Sequence, residues 1–214
     1  ELSDADLSRY THVLMANGGY PDLDDEFAET LGDWVREGGV LIGVRGGARW
    51  AVTHELSSAR WLEDEAAEDD AESAAEPAAY DTLQAWDAEQ AISGALFESD
   101  IDTSHPLAFG LRDAMLPVHK IGTEAFAASD NPFALVARYD EDDPILSGYA
   151  SQQNRDRLEG AGVVHAERTG SGSVILFADN PVYRAYYRGS ARLVTNALFF
   201  GEAFRNPRRR GPAQ

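Results

Sequence analysis

Cysteine is absent from all 214 residues of this chain. That removes disulfides, thiolate metal ligands and thiol nucleophiles together, and it leaves the compartment open. Lysine is nearly absent too: of 18 basic residues only Lys120 is lysine, and the rest are arginine. Composition alone offers no physical reason for that bias. No apolar run approaches the roughly 20 residues of a membrane-spanning helix, so no membrane insertion is expected. No charged-then-apolar leader precedes the first elements, so any signal peptide is expected to lie outside this chain, which opens at Glu1. Bases are outnumbered 37 acids to 18, for a net charge of -19. Phosphate binding requires a basic surface, so nucleic acid is excluded as a partner. None of the five histidines sits in a His-x-x-Glu or His-Glu-x-x-His pattern, the spacings that build peptidase zinc sites. No cofactor is expected in this chain. What is present, 43% hydrophobic residues, suffices for one domain with a sizeable core.

The periodicities predict an α/β protein. Thr11 to Ala16 is a short apolar run closed by Gly18-Gly19, a buried strand. Asp24 to Glu37 is a helix, with Phe27, Leu31, Trp34 and Val35 on one face, acids at its start and Gly38 at its end. Val40 to Val44 is apolar on both faces, as a parallel strand covered by helices would be. Strand, helix, strand, helix implies a doubly wound sheet. Val13, Leu14, Leu41, Ile42, Val44, Val174, Ile175 and Leu176 are expected in adjacent core strands. Further strands are expected at Ile92 to Glu98, Phe133 to Tyr139, Val163 to Arg168 and Ser173 to Ala178. The last two are joined by the hairpin turn Thr169-Gly170-Ser171-Gly172. Ala191 to Phe200 reads as a final helix stopped by Gly201.

Leu62 to Glu76 carries eight acids, and no Lys or Arg occurs between Arg60 and Arg112. Such charge density leaves little apolar surface to offset ordering entropy, so a solvated excursion is expected. The other reading is a cation-binding loop, but ligands at calcium-loop offsets are missing. Asp140-Glu141-Asp142-Asp143 before Pro144 reads as a turn. The division expected is one domain over residues 1–204, with an acidic insertion near 62–90 and a polar tail over 205–214.

The segment Gly43-Val44-Arg45-Gly46-Gly47 combines a buried strand, a sharp glycine turn and a helix start. That is the layout of a nucleophile elbow, which lifts one side chain above the sheet. The side chain here is arginine. It stays protonated at physiological pH and cannot attack a carbonyl.

Around this turn the sequence resembles glutamine amidotransferase-like proteins, whose elbow is Gly-x-Cys-x-Gly. Leu7 to Tyr20, ending in Asn17-Gly18-Gly19, resembles the family strand whose Gly-Gly turn supplies oxyanion amides. Ile175-Leu176-Phe177-Ala178-Asp179-Asn180-Pro181-Val182 takes the place of the strand that leads to His-Pro-Glu. Asn180 and Val182 then stand where the base and its carboxylate partner would be, so the resemblance implies a triad lost in full. Ile92-Ser93-Gly94-Ala95-Leu96-Phe97, His105-Pro106-Leu107, Leu146-Ser147-Gly148-Tyr149 and Asn196 to Gly201 narrow the match. They resemble the amidotransferase-like domain that follows the catalytic domain in bacterial zinc carboxypeptidases of the carboxypeptidase A type. The similarity runs from Leu7 to Gly201. It implies a flavodoxin-like mixed sheet whose first strand-helix-strand unit is either cut off or lost. It further implies zinc in the parent's catalytic domain, that domain as partner within the same polypeptide, a homodimer as a further partner, and an extracytoplasmic location.

Ligand crevices in doubly wound folds lie at the carboxyl ends of the strands. Asn17, Gly18, Gly19, Arg45, Gly46, Asn180 and Arg184 are therefore the candidate crevice, a vestigial site with no catalytic residue. It suits a carboxylate or other small anion; otherwise Arg45 pairs with an acid or with backbone carbonyls. His105 is expected to hold a loop. His54 and Glu55 are a weak pair, because adjacent helical residues do not face each other. Ser147 has no elbow around it and reads as a strand-end turn. Three functions follow: a non-catalytic accessory domain of a zinc carboxypeptidase; a module binding small ligands or polysaccharide, favoured if Trp61, Tyr183, Tyr186 or Tyr187 line the crevice; or a hydrolase with replaced catalytic groups.

Overall fold

The computed structural model describes residues 5–62 and 79–206, with only the backbone of Ala85 and Ala88. The strands are β1 (His12–Met15), β2 (Val40–Val44), β3 (Ala95–Ile101), β4 (Met115–Lys120), β5 (Leu135–Tyr139), β6 (Ile145–Gly148), β7 (Gly162–Thr169) and β8 (Gly172–Phe177). The helices are α1 (Asp25–Glu37), α2 (Gly46–Thr53), α3 (Leu83–Gln90), α4 (Gln152–Leu158) and α5 (Arg188–Phe200). One sheet runs in the order β1-β2-β8-β7-β5-β3-β4, with β6 also paired to β3. The β1, β2 and β8 strands are parallel and the remaining pairings antiparallel.

The parallel half forms because side chains alternate between two faces along each strand. Leu41, Val174 and Leu176 pack on one face with Phe27, Leu31, Trp34 and Val35 of α1 and with Ala48 and Trp50 of α2. Val40, Ile42, Val44, Ile175 and Phe177 pack on the other with Leu193 and Ala197 of α5. Helices thus cover both faces. The start of α1 is fixed by Asp24, whose carboxylate accepts from the Phe27 N–H at 3.0 Å. Gly38 ends it at a φ of 135°, a conformation that favours glycine.

Two expected core residues differ. β1 is an edge strand; Val13 is only half-buried and Leu14 is 47% exposed. An edge strand with an uncovered face keeps only alternate residues inside. The hairpin between β7 and β8 forms as expected, with Gly170 at a φ of 62°. β4, β6, α3 and α4 have no counterpart in the sequence reading. β4 contains Pro117, which an edge strand tolerates because one face of its backbone pairs with nothing. Ser147 lies inside β6, opposite Leu96, and not in a turn. In α4 only Asn154 and Leu158 are buried, too few to give a readable period. Asp140 to Asp143 is a turn in which Asp140 Oδ1 accepts from the Asp142 N–H at 2.8 Å. Most of the acidic stretch, residues 63–78, lies outside the described residues, as does the tail from 207 onward. Among the described residues no helix is long and apolar enough to cross a membrane.

Candidate functional site

The turn after β2 is a strained strand-to-helix corner. Arg45 sits at φ 49° and ψ -107°, a backbone conformation that costs on the order of 1–3 kcal/mol for a residue with a Cβ. Its N–H donates to Phe177 O at 2.9 Å, which ties the corner to the end of β8. A Cβ at Gly46 would lie 2.1 Å from Gly18 O, and one at Gly47 2.3 Å from Met15 O. The corner after β2 therefore rests directly on the turn after β1, and only glycine fits between. Gly46 N–H also reaches Asn17 Oδ1 at 3.3 Å.

Half-buried, the Arg45 side chain donates from Nη1 to Ile121 O at 2.6 Å. It lines a pocket of about 120 Å³ with Asn17, Gly46, Arg49, Trp61, Glu124 and Ala178. Arg49, on α2, lies 3.4 Å from Glu124 Oε1, and its guanidinium sits 5.0 Å over the Trp61 ring. The far walls are two crossing segments. Trp61 stacks on Phe126 with centroids 4.6 Å apart, and Leu62 N–H donates to Ala125 O at 2.8 Å. Arg157 of α4 pins both, donating to Thr123 O at 3.0 Å and Leu62 O at 3.1 Å. Glu167 holds the approach to Trp61, accepting from the hydroxyls of Ser57 and Ser58, each at 2.6 Å.

Beneath the pocket is a buried charged layer. Lys120 Nζ lies 3.3 Å from Asp179 Oδ1, and both side chains are essentially without solvent contact. Among the described residues Asp179 Oδ1 accepts no aligned hydrogen bond, so charge holds the pair. Asp179 Oδ2 instead accepts from the Tyr139 hydroxyl, and Lys120 Nζ donates to Glu124 O. Burial lowers the Lys120 pKa, against the opposing pull of Asp179. Burial, reinforced by Asp179, raises that of Tyr139 well above its ordinary value. For Glu124 burial would raise the pKa, but its own backbone N–H and the cations Arg45, Lys120 and Arg49 outweigh this and leave it lowered. His119, beside Lys120, stacks on Tyr183 at 3.9 Å and Tyr187 at 6.0 Å. Burial lowers its pKa; Asp179 opposes this, while Arg184 and Arg45 add to it.

Of the seven residues expected to form the crevice, Asn17, Arg45 and Gly46 line this pocket. Gly18 backs onto Gly46 through its carbonyl, and Gly19 is exposed beside it. Asn180 is turned to its own loop, accepting from the Val182 N–H at 3.0 Å. Arg184 is exposed and lies over the Tyr183 ring at 5.3 Å. Among the described residues no hydrogen bond joins Arg45 to Asn180; the carbonyl of Ile121 is its partner. Trp61, named from the sequence as an aromatic that could line the crevice, does so; Arg49, Lys120, Glu124, Tyr139 and Asp179 were missed as parts of one site. Lys120 alone carried a signal: it is the one lysine. His105 caps a short turn, its Nδ1 accepting from the Leu107 N–H at 3.2 Å. His54 pairs with Asp25 at 3.0 Å rather than with Glu55.

Solved structures share the overall fold. PurLQS from Thermotoga maritima matches with a TM-score of 0.55 at 12% identity, covering 92% of this chain and 82% of that one. A ThuA-like protein from Parabacteroides merdae matches with a TM-score of 0.52 at 10% identity, covering 97% and 76%. This chain has a glutamine amidotransferase-like fold. At such identity the likeness is one of fold alone. No protein-family model and no curated protein sequence matches the chain. Within this fold the strained corner after β2 holds an arginine.

Proposed function

We propose that this amidotransferase-like chain is a non-catalytic accessory domain of a zinc carboxypeptidase-type peptidase, where it stabilises, positions or oligomerises the catalytic domain. The observation that supports the non-catalytic part is Arg45 at the strained corner after β2. A permanently charged guanidinium occupies the place where a nucleophile would project, and a main-chain carbonyl holds it there. The peptidase part rests on the sequence resemblance over Leu7 to Gly201. In that reading the zinc-activated water belongs to the catalytic domain. Metal analysis tests it: the parent polypeptide should hold zinc and hydrolyse C-terminal peptide bonds, while residues 1–214 alone do neither. A parent without zinc or peptidase activity removes the association.

A second reading, a small-ligand module, is favoured by the pocket between Arg45 and Arg49. Of the four aromatic residues that would favour it, Trp61 lines that pocket. Tyr183 and Tyr187 are engaged with His119 instead, which argues for a small ligand over a polysaccharide. The third reading, a hydrolase with replaced groups, needs a nucleophile and base within hydrogen-bond reach. Arg45, Arg49, Trp61 and Glu124 do not make such a pair.

A further inference from the structure

We propose that the pocket at the Arg45 corner binds a small carboxylate that carries a hydrogen-bond donor on the adjacent carbon. The proposal extends the ligand-binding reading and is independent of whether the chain catalyses anything. Its first support is a surplus of donors. Arg45 has five N–H groups and gives one to Ile121 O. Among the described residues Arg49 reaches one carboxylate, at 3.4 Å, a long contact for a charged pair. Trp61 Nε1 is buried and, among the described residues, has no hydrogen-bond acceptor. A buried donor without an acceptor is costly, so an acceptor supplied at this point is stabilising. An anion answers the two guanidinium groups beside Trp61, and a planar carboxylate fits the guanidinium fork.

The second support is an acceptor in the same lining, the Glu124 carboxylate. Glu124 Oε2 is buried and accepts no hydrogen bond from another described residue. A bare anion would leave it unmet and repelled. A hydroxyl or amide N–H beside the carboxylate would satisfy it while the two arginines hold the carboxylate. The pocket volume of about 120 Å³ admits a few non-hydrogen atoms and excludes a large ligand. The cations and Glu124 are kept in place from outside the pocket: Lys120 donates to Glu124 O, and Arg157 pins Thr123 and Leu62. Two sources share this chemistry. One is a free 2-hydroxy acid, and the other is the C-terminal residue of a peptide, whose amide N–H neighbours its carboxylate.

Glycolate, N-acetylglycine and acetate are the probes. In a 1H–15N spectrum of the chain, one of the four tryptophan indole N–H signals should move on titration with glycolate. Trp61→Phe should remove that signal. By calorimetry Arg49→Gln should weaken glycolate binding at least about tenfold, the scale of one charge-assisted contact. Glu124→Gln should abolish the preference for glycolate over acetate. Preference for N-acetylglycine over glycolate assigns the site to a chain end, and the reverse assigns it to a free acid. No saturable shift, equal binding by Arg49→Gln, or equal binding of chloride and glycolate overturns the proposal. Each of those failures leaves the non-catalytic reading standing, because turnover is measured separately.

Discussion

Along their length β2 and β8 send only apolar or small side chains to both faces of the sheet, Leu41 and Ile42 against Val174 and Ile175. One or two residues past their carboxyl ends the same chains carry Arg45 and Asp179, in a layer with Lys120, Glu124 and Tyr139. The two regions are stabilised differently. Apolar packing is a sum of many small contacts and degrades gradually as atoms are removed. A buried ionic layer is satisfied as a set, and removing one member strands the others.

The sharpest way to break this comparison is Asp179→Ala. It leaves the Lys120 ammonium buried and unpaired, so it should cost about 3–5 kcal/mol in urea unfolding. The double replacement Lys120→Met with Asp179→Leu should recover part of that loss, because no lone charge remains. If the double variant is worse than the single one, the layer behaves like ordinary packing and the distinction fails. In the apolar region, Trp34→Ala should cost about 3–5 kcal/mol, the range for deleting a large buried aromatic. Trp34 is 9% exposed and donates to Tyr10 O at 3.3 Å. A loss under about 1 kcal/mol, an ordinary surface effect, would mean that α1 is not seated as described.

Acid titration probes a buried histidine between the two regimes. His165 is fully buried beside Phe126, and among the described residues neither ring nitrogen has a hydrogen-bond partner. Burial lowers its pKa below 6.5, with Glu167 opposing. The unfolded chain therefore takes up the proton first. The stability linked to His165 is present above pH 6.5 and is lost as pH falls from there toward the depressed folded value. His165→Leu should flatten that part of the profile and be neutral or stabilising at pH 7, since no partner is lost. An unchanged acid slope in this variant assigns the effect to other groups.

The smallest effects are expected at the corner. Arg45→Ala keeps a Cβ at φ 49° and loses the bond to Ile121 O, a net cost of about 0.5–1.5 kcal/mol. Arg45→Gly loses the same bond but relieves the backbone, so it should be the more stable of the two by thermal unfolding. The opposite order would show that the corner is not strained.

How legible these regions were differs for a physical reason. The apolar half is local in sequence. Val40 to Val44 lies between glycines, α1 repeats its apolar face every turn, and Gly170 marks the hairpin; each signal spans a few residues. The corner was legible too, because glycine is demanded wherever two turns touch, as at Gly46 and Gly47. The charged layer was not. Arg45 meets Ile121 across 76 residues, and Tyr139 meets Asp179 across 40, with no period linking them. β4, which delivers Lys120, was hidden by Pro117. Leu14 was misplaced because a strand does not announce from its own residues that it is an edge.

The central claim is that this elbow holds a binding or clamping cation and no nucleophile. Ammonia release from glutamine, followed for the purified chain and for Arg45→Cys, tests it most directly. Both should stay at the level of the protein-free control: the native corner carries Arg45 and no thiol, and in the cysteine variant the place that the resemblance gives to the base is held by Asn180, which has no titratable group and is turned to its own loop. Saturable glutamine turnover by either protein would contradict the account.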